Sequence, residues 1–387
     1  MVMGKIFNLI IKLITHESAM FTPRPRSSMQ NPLEVISSED LLSRIEVFNK
    51  WAANQSSDWR KNYALIGSDV TALFPSLTKE RTAEAIYNQA KKSKIAWSNI
   101  DDKWLTLYIH LNRNCSSHID EISHLLPKKR PHKRGKEPGM SSYVCMQRHL
   151  EDDYEINGRI VKNSWIWPSN KPTKRELSTL MAIMLEISVS FFFDNFVYTF
   201  GGKDYLQCGG GPIGARLTMC ISRLTMQDWW ENFVKILDDS NLDYKLSALY
   251  VDDGRIVLEI IKKGVRFDEA TKLFKYSEKW YLEDKESEKS DLQRTEYEVR
   301  RAMNAVSPDL VFTTETEADF ANKRLPTLSF EIWSDESGIR HSFFEKSMRS
   351  QILTMKNSSQ SEQSKYSILV IELTRRFEVM DLSLIHI

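Results

Sequence analysis

The chain has few of the residues that build zinc sites and disulfide frameworks. It contains four cysteines in 387 residues, and neither these nor the eight histidines recur at metal-ligand spacing. Cysteines without a paired pattern predict reduced thiols, and therefore an intracellular protein of the nucleus or the cytoplasm. A disulfide-stapled domain and a zinc finger are both disfavoured.

Long uninterrupted apolar runs are also missing. The run that starts at Ile6 is too short to span a bilayer and ends at Lys12, and no small-residue cleavage site follows it. The apolar stretch from Leu177 to Phe200 contains Glu186 and Asp194, which favours a buried helix over a membrane span. The sequence therefore predicts no membrane partner.

Excess charge is missing as well. The formal net charge is +1, with 41% hydrophobic and 27% charged residues, which is ordinary for a globular protein long enough for two or three domains. No global electrostatic attraction to nucleic acid follows from these numbers. A local one does, because residues 127–136 concentrate basic side chains between Pro127 and Gly135. This basic segment is suited to phosphate contacts, although a solvated loop or a nuclear-import signal has the same composition.

The most informative motif that is present is Tyr250-Val251-Asp252-Asp253-Gly254. Apolar runs flank two adjacent acids, and this pattern predicts a β-hairpin whose Asp253-Gly254 step supplies the turn. Taken alone, the motif is better explained as a solvated turn on an ordinary hairpin.

Two further segments change that interpretation. The first is an apolar strand from Tyr63 that ends in Asp69 and turns through Pro75 into a helix. The second is the loop Gln207-Cys208-Gly209-Gly210-Gly211-Pro212-Ile213-Gly214, which opens a helix with apolar residues at helical spacing. Singly, the first fits a capped turn and the second a flexible loop.

In this order the three segments resemble motifs A, B and C of reverse transcriptases. Asp-Val-Thr-Ala-Leu-Phe-Pro-Ser from Asp69 is similar to motif A, the Gln-x-x-Gly-x-x-x-Gly pattern from Gln207 to motif B, and Tyr-Val-Asp-Asp to motif C. Leu325-Pro326-Thr327-Leu328-Ser329 is similar to the Leu-Pro-Phe-Leu-Asp segment of Penelope-like and related eukaryotic retroelements, with Ser329 in place of the aspartate.

The resemblance implies an α+β right-hand polymerase whose palm is an antiparallel sheet packed on helices. Such an enzyme adds dNTPs to a primer on an RNA or DNA template, with two Mg²⁺ ions, or Mn²⁺ in their place, held by carboxylates. Carboxylates brought so close without metal would raise each other's pKa. The implied catalytic residues are Asp69, Asp252 and Asp253, and the implied metal-binding residues are Asp69, Val70, Asp252 and Asp253. The implied nucleotide-binding residues are Phe74, Gln207, Gly210, Gly214 and Arg26, and the nucleic-acid-binding residues predicted in the basic segment are Lys128, Lys129, Arg130, Lys133 and Arg134.

The predicted organisation follows the same resemblance. Residues 1–23 have no assigned role, 24–68 are partial fingers, 69–346 are the palm with a basic finger-like insertion at about 115–175, and 347–381 are a partial thumb. Residues 382–387 resemble one reading frame of a sequencing-library adaptor, which predicts a truncated chain. Local patterns predict a helix from Glu39 to Trp51, a helix capped by Thr78, a helical stretch from Phe267 to Asn304, and strands between Leu310 and Phe344.

Two other functions share these features. An RNA-dependent RNA polymerase has the same palm and metal chemistry, but it usually carries a polar group where this chain has Phe74. The alternative interpretation of Phe74 is a core aromatic residue. A decayed or domesticated palm that only binds nucleic acid is the second alternative, which the three intact acids disfavour.

Overall fold

The computed structural model describes residues 37–55, 57–93, 107–111, 142–146, 154–156, 159–161, 173–212, 216–328 and 330–344, with positions 118, 121, 363, 366 and 370. The described residues combine helices with antiparallel sheets. They divide into two compact units, one within Phe74–Asp228 and the other within Ser18–Leu73 and Trp229–Ile387. We call them the helical unit and the sheet unit.

The elements of the first half of the chain are, in order, α1 (Ser38–Ala52), β1 (Tyr63–Val70), α2 (Leu73–Ser76), α3 (Lys79–Lys92), β2 (Leu107–Leu111), β3 (Ser142–Met146), β4 (Tyr154–Ile156), β5 (Arg159–Val161) and α4 (Lys174–Asp194). Those of the second half are β6 (Val197–Phe200), β7 (Lys203–Leu206), α5 (Arg216–Asp239), β8 (Tyr244–Tyr250), β9 (Asp253–Glu259), β10 (Val265–Asp268), β11 (Leu273–Tyr276), α6 (Glu278–Glu286), α7 (Asp291–Val306), β12 (Phe312–Glu315), β13 (Leu325–Thr327), β14 (Phe330–Asp335) and β15 (Gly338–Phe343).

The sheet unit is organised around a four-stranded antiparallel sheet in the order β12-β1-β9-β8. Strand β1 is central, with the sequence Tyr-Ala-Leu-Ile-Gly-Ser-Asp-Val, and all of its residues from Ala64 to Ser68 are buried. A strand buried on both faces reads as an apolar run, as this one does. Its position in the middle brings Asp69 between two neighbouring strands.

One face of this sheet packs against α1 and a second, three-stranded sheet in the order β13-β14-β15. The core between them includes Leu65 of β1 and Val257 of β9, together with Phe48 of α1 and Phe330 of β14. Phe48 also contacts Trp59 edge to face, with ring centroids 5.0 Å apart. Because side chains alternate along a strand, Gly67 and Asp69 lie on the same face as Leu65.

The opposite face is covered by aromatic residues in the second half of α5 and by α7. Trp229 stacks on Phe312 of β12 with ring centroids 3.8 Å apart, and the indole N–H of Trp230 donates to Ser247 Oγ at 2.9 Å. Asn304 of α7 donates to the carbonyl of Phe312 and accepts from its amide. These contacts hold β12 and β8 in place and so fix the edge at which β1 ends.

The helical unit contains α3, α4, the exposed hairpin β6–β7 and the first half of α5. Helices α3 and α4 pack along their length, and Lys79 Nζ lies 2.9 Å from Asp194 Oδ1. Thr173 and Glu176 form a capping box at the start of α4. No helix in the described ranges has the length and apolarity needed to cross a bilayer.

Most of the predicted local elements are confirmed. Helix α1 covers the predicted stretch from Glu39 to Trp51, α3 starts immediately after its N-cap Thr78, and β12 to β15 lie between Leu310 and Phe344. The helical prediction from Phe267 to Asn304 is wrong at its start, because β10 and β11 form a hairpin there. Phe267 and Phe274 face each other across that hairpin, with ring centroids 5.4 Å apart, and this burial outweighs the helical charge pattern around them.

Candidate active site

The hairpin β8–β9 carries the two adjacent acids, but its turn differs from the predicted one. Tyr250 pairs with Asp253, so the turn residues are Val251 and Asp252, and Gly254 lies within β9 opposite Leu249. Val251 has φ +58°, in the left-handed region that favours glycine. A β-branched residue in this region is strained by about 1–3 kcal/mol. The tip that presents Asp252 is therefore a strained turn.

Gly254 accounts for the displaced turn. A Cβ atom at this position would lie 2.5 Å from Cζ3 and 2.6 Å from Cη2 of Trp230. Only a residue without a side chain lets β9 approach the Trp230 ring so closely. Gly254 therefore serves the sheet packing, and the turn lies two residues earlier than predicted, at Val251 and Asp252.

The strand register brings Asp69 beside the hairpin acids. The β1–β9 ladder ends with Ser68 opposite Gly254, so the next facing positions are those of Asp69 and Asp253. Facing positions in an antiparallel pair have Cβ atoms about 4.5–5.5 Å apart. Three carboxylates from two distant parts of the chain thus meet at one end of the sheet.

A cavity of about 660 Å³ opens at this end of the sheet. Its lining includes Asp69, Asp252, Asp253 and Glu315, with Arg255 as the basic residue among the lining side chains, a formal charge of −3. The remaining lining residues are Ser38, Tyr250, Pro326, Thr327, Leu328 and Phe344. A concave site with such an excess of carboxylate oxygens attracts cations.

The pKa values of three carboxylates of this cavity, Asp69, Asp252 and Glu315, are raised above their ordinary values. Burial raises the pKa of Asp69, and the charges of Asp252 and Asp253 raise it further. Burial also raises the pKa of Asp252, with a smaller contribution from Asp253. For Glu315, burial raises the pKa, Arg255 opposes the shift, and Asp253 and Asp69 add to it. Mutual repulsion of this kind is relieved when a cation binds between the groups.

The residues fit a divalent cation by their chemistry, but they do not form a closed metal cage. Within the described ranges, no three His, Cys, Asp or Glu side chains are grouped as a metal site. Asp253 Oδ1 is engaged by Arg255 Nη1 at 2.9 Å. Mg²⁺ commonly takes one or two carboxylates and completes its shell with waters and substrate phosphates. An incomplete protein shell at Asp69 and Asp252 is therefore compatible with Mg²⁺, and Val70, whose side chain is buried and apolar, offers only its main-chain carbonyl.

Local sequence patterns do not predict three residues of this edge. Arg255, Gly67 and Glu315 lie side by side on β9, β1 and β12, because Gly67 pairs with Arg255 on one side and with Glu315 on the other. The signal for Arg255 was its position two residues after Asp253, on the same face of a strand. Glu315 carries no local signal, since only strand pairing brings it here.

The predicted motif B loop lies in the helical unit, together with Phe74. The amide nitrogen of Gly211 donates to the carbonyl of Phe74 at 2.6 Å, and a Cβ at Gly210 would lie 2.9 Å from Cα of Pro75. The Gln207 side-chain amide donates to the carbonyls of Gly209 and Gly210 at 2.9 and 3.0 Å. These contacts hold the loop against the turn at Phe74 and Pro75, where Phe74 is half-buried.

The other predicted site residues cannot be placed. Gly214, Arg26 and the basic residues Lys128, Lys129, Arg130, Lys133 and Arg134 lie outside the described residues. The predicted thumb and the adaptor-like tail lie outside them as well, apart from isolated positions. Their roles stay predictions.

Comparison with known proteins adds no assignment to this geometry. No protein-family model and no curated protein matches the chain.

Proposed function

We propose that this chain is the polymerase domain of a retroelement reverse transcriptase, which copies an RNA or DNA template by adding deoxynucleotides to a primer. The observation that carries the proposal is the convergence of Asp69 with the strained turn of the β8–β9 hairpin at an acidic cavity. The order of the three sequence motifs supports the same function. In this proposal the four-stranded sheet, with α1, α7 and the second half of α5 packed on it, is the polymerase palm.

The carboxylates have distinct roles in this proposal. Asp253 forms a salt bridge with Arg255 and therefore stays peripheral. Asp69 and Asp252 are the proposed cation ligands. Two Mg²⁺ ions, when bound, would favour deprotonation of the primer hydroxyl and neutralise the leaving pyrophosphate. The strained Val251 turn fixes the direction of Asp252, which reduces the reorganisation needed when the site is filled.

Three of the proposed nucleotide-binding residues, Phe74, Gln207 and Gly210, lie in the helical unit. Gln207 keeps the carbonyls of Gly209 and Gly210 in one arrangement. A glycine loop held in a single conformation lets a ligand approach its main chain closely. Phe74 is the proposed selector against ribonucleotides, because an aromatic ring offers no hydrogen-bond partner to a 2′-hydroxyl.

Primer extension on RNA and DNA templates, with dNTPs or rNTPs, tests the proposal. Asp252→Asn should lower Mg²⁺-dependent extension by a factor on the order of 10² or more, because a neutral amide is a poor cation ligand. Glu336→Gln is the matched control, since Glu336 is an exposed acid in the β14–β15 turn of the same unit. It should retain full activity.

Each outcome of this experiment has a defined meaning. Undiminished extension by Asp252→Asn would refute the proposed site, as would the absence of extension by the unsubstituted chain in all four combinations of template and nucleotide. Extension with rNTPs in preference to dNTPs would instead identify an RNA-making enzyme. Template binding without extension would identify a nucleic-acid-binding protein built on the same fold.

A further inference from the structure

Arg255 is an arginine buried at the edge that carries the carboxylates. Only 4% of its side chain is exposed. A guanidinium carries five N–H donors and a permanent charge, so its burial is costly unless acceptors surround it. The surroundings of Arg255 therefore show what holds it there.

The guanidinium reaches acceptors in three parts of the chain. Nη1 donates to Asp253 Oδ1 at 2.9 Å and to the carbonyl of Gly254 at 2.7 Å. Nη2 donates to the carbonyl of Pro326 at 2.6 Å, and Nε donates to Thr327 Oγ1 at 2.9 Å. Nη2 also lies 3.9 Å from Glu315 Oε1. One planar group thus connects the hairpin acid, strand β13 and strand β12.

Gly67 makes this arrangement sterically feasible. It lies on the central strand between Arg255 and Glu315, where a Cβ atom would be 3.2 Å from Arg255 Nη1 and 3.2 Å from Glu315 Cγ. Both distances are shorter than ordinary van der Waals contact, so any side chain at Gly67 would compete with the guanidinium for space. The absence of a side chain at Gly67 therefore leaves the space that the Arg255 guanidinium occupies.

We propose that Arg255 is a positioning residue for the carboxylate site: it aims Asp253 and holds the Pro326–Thr327 strand against the edge where Asp69 and Asp252 lie. This inference rests on the proposed polymerase function. The charge balance supports it, since loss of Arg255 would change the formal charge of the cavity lining from −3 to −4. Uncompensated acids repel one another and shift out of alignment.

Three substitutions separate positioning from simple support of the fold. Arg255→Met removes the charge and the hydrogen bonds but keeps an unbranched side chain. Arg255→Lys keeps the charge but loses the planar guanidinium that bonds several acceptors at once. Arg294→Met is the matched control, because Arg294 is a buried arginine of the same unit that donates to Ile261 and Asp291. Thr327→Val removes a single acceptor of Arg255 and keeps the side-chain shape.

The first readout is steady-state primer extension, corrected for the folded fraction. Arg255→Met should lower kcat by about 10- to 100-fold, with the KM for dNTPs changed less than about threefold, because alignment is lost while binding remains. Arg255→Lys should restore part of that loss, and Thr327→Val should lower kcat by less than about tenfold. Arg294→Met should leave kcat unchanged. Equal kcat losses for Arg255→Met and Arg294→Met, or an unchanged kcat in Arg255→Met, would overturn the inference.

The second readout is amide hydrogen exchange, which requires no activity. Arg255→Met and Thr327→Val should accelerate exchange in β13 and around Gly254, by about tenfold or more for Arg255→Met, while peptides of α7 keep their protection. Arg294→Met should show the reverse pattern. If the chain shows this exchange pattern but is inactive in primer extension, the proposed polymerase function is refuted and the positioning contacts of Arg255 are supported. Unchanged exchange in β13 in Arg255→Met would refute the positioning role even in an active enzyme.

Discussion

Substitution of Gly210 by alanine tests whether the glycine loop is shaped by its contact with the turn at Phe74 and Pro75. Gly210 has φ +72°, in the left-handed region. A Cβ there would lie 2.9 Å from Cα and 3.0 Å from the carbonyl oxygen of Pro75. Both neighbours are main-chain atoms, so rotating a side chain cannot relieve the overlap.

The expected cost has two parts. A left-handed conformation costs an alanine about 1–2 kcal/mol, and forcing an extra carbon against rigid neighbours costs about 1–3 kcal/mol. We therefore expect Gly210→Ala to lower the free energy of unfolding by about 2–5 kcal/mol. The hydrogen bond from Gly211 to Phe74 would weaken as the loop moves away.

Two neighbouring glycines provide a graded set of controls. Gly201 also has a positive φ of +59°, but a Cβ added there would have no described atom within 4 Å, so Gly201→Ala should show only the conformational cost of about 1–2 kcal/mol. Gly209 has neither a positive φ nor a described neighbour within 4 Å of an added Cβ, so Gly209→Ala should change stability by less than about 1 kcal/mol.

Urea titration followed by circular dichroism measures the three free energies of unfolding. Gly210→Ala should be the most destabilised variant, followed by Gly201→Ala and then Gly209→Ala. If the free energies of Gly210→Ala and Gly201→Ala agreed within about 0.5 kcal/mol, the contact with Pro75 would carry no energy and the expectation would be refuted. Under the proposed function, primer extension should fall in the same order.

Three further predictions concern the acids, the sugar and the basic segment. Burial and the neighbouring acids raise the folded-state pKa of Asp69, so its ionised form is disfavoured in the folded state. The resulting loss of folding stability is absent below the unfolded pKa of about 3.9 and complete above the folded pKa. Asp69→Asn should therefore raise the melting temperature near pH 7 without divalent cations, by an amount that solvent screening keeps small, and leave it unchanged near pH 3. A lower melting temperature at pH 7 would contradict this. Phe74→Ala should admit rNTPs while retaining dNTP incorporation in extension assays, whereas loss of both activities would identify Phe74 as a packing residue. Neutralising the five predicted phosphate-binding residues of the basic segment should weaken template binding for all sequences and reduce the salt slope by roughly one unit per lost contact, and an unchanged slope would mean a solvated loop.

Local patterns in the sequence determined the elements that carry the candidate site. The apolar run before Asp69 predicted β1, Thr78 marked the start of α3, and the apolar flanks of Asp252 and Asp253 predicted a hairpin. These features depend on residues only a few positions apart. Periodicity and capping therefore sufficed to place the acids at the ends of strands.

The tertiary structure alone decided which groups meet. The turn lies at Val251 and Asp252 because Gly254 packs against Trp230, a contact between residues 24 positions apart in the sequence. Arg255, Gly67 and Glu315 form one row across three strands, and strand order and register place them there. Spacing along the chain does not encode lateral neighbours in a sheet, since register follows from which faces are buried and against what.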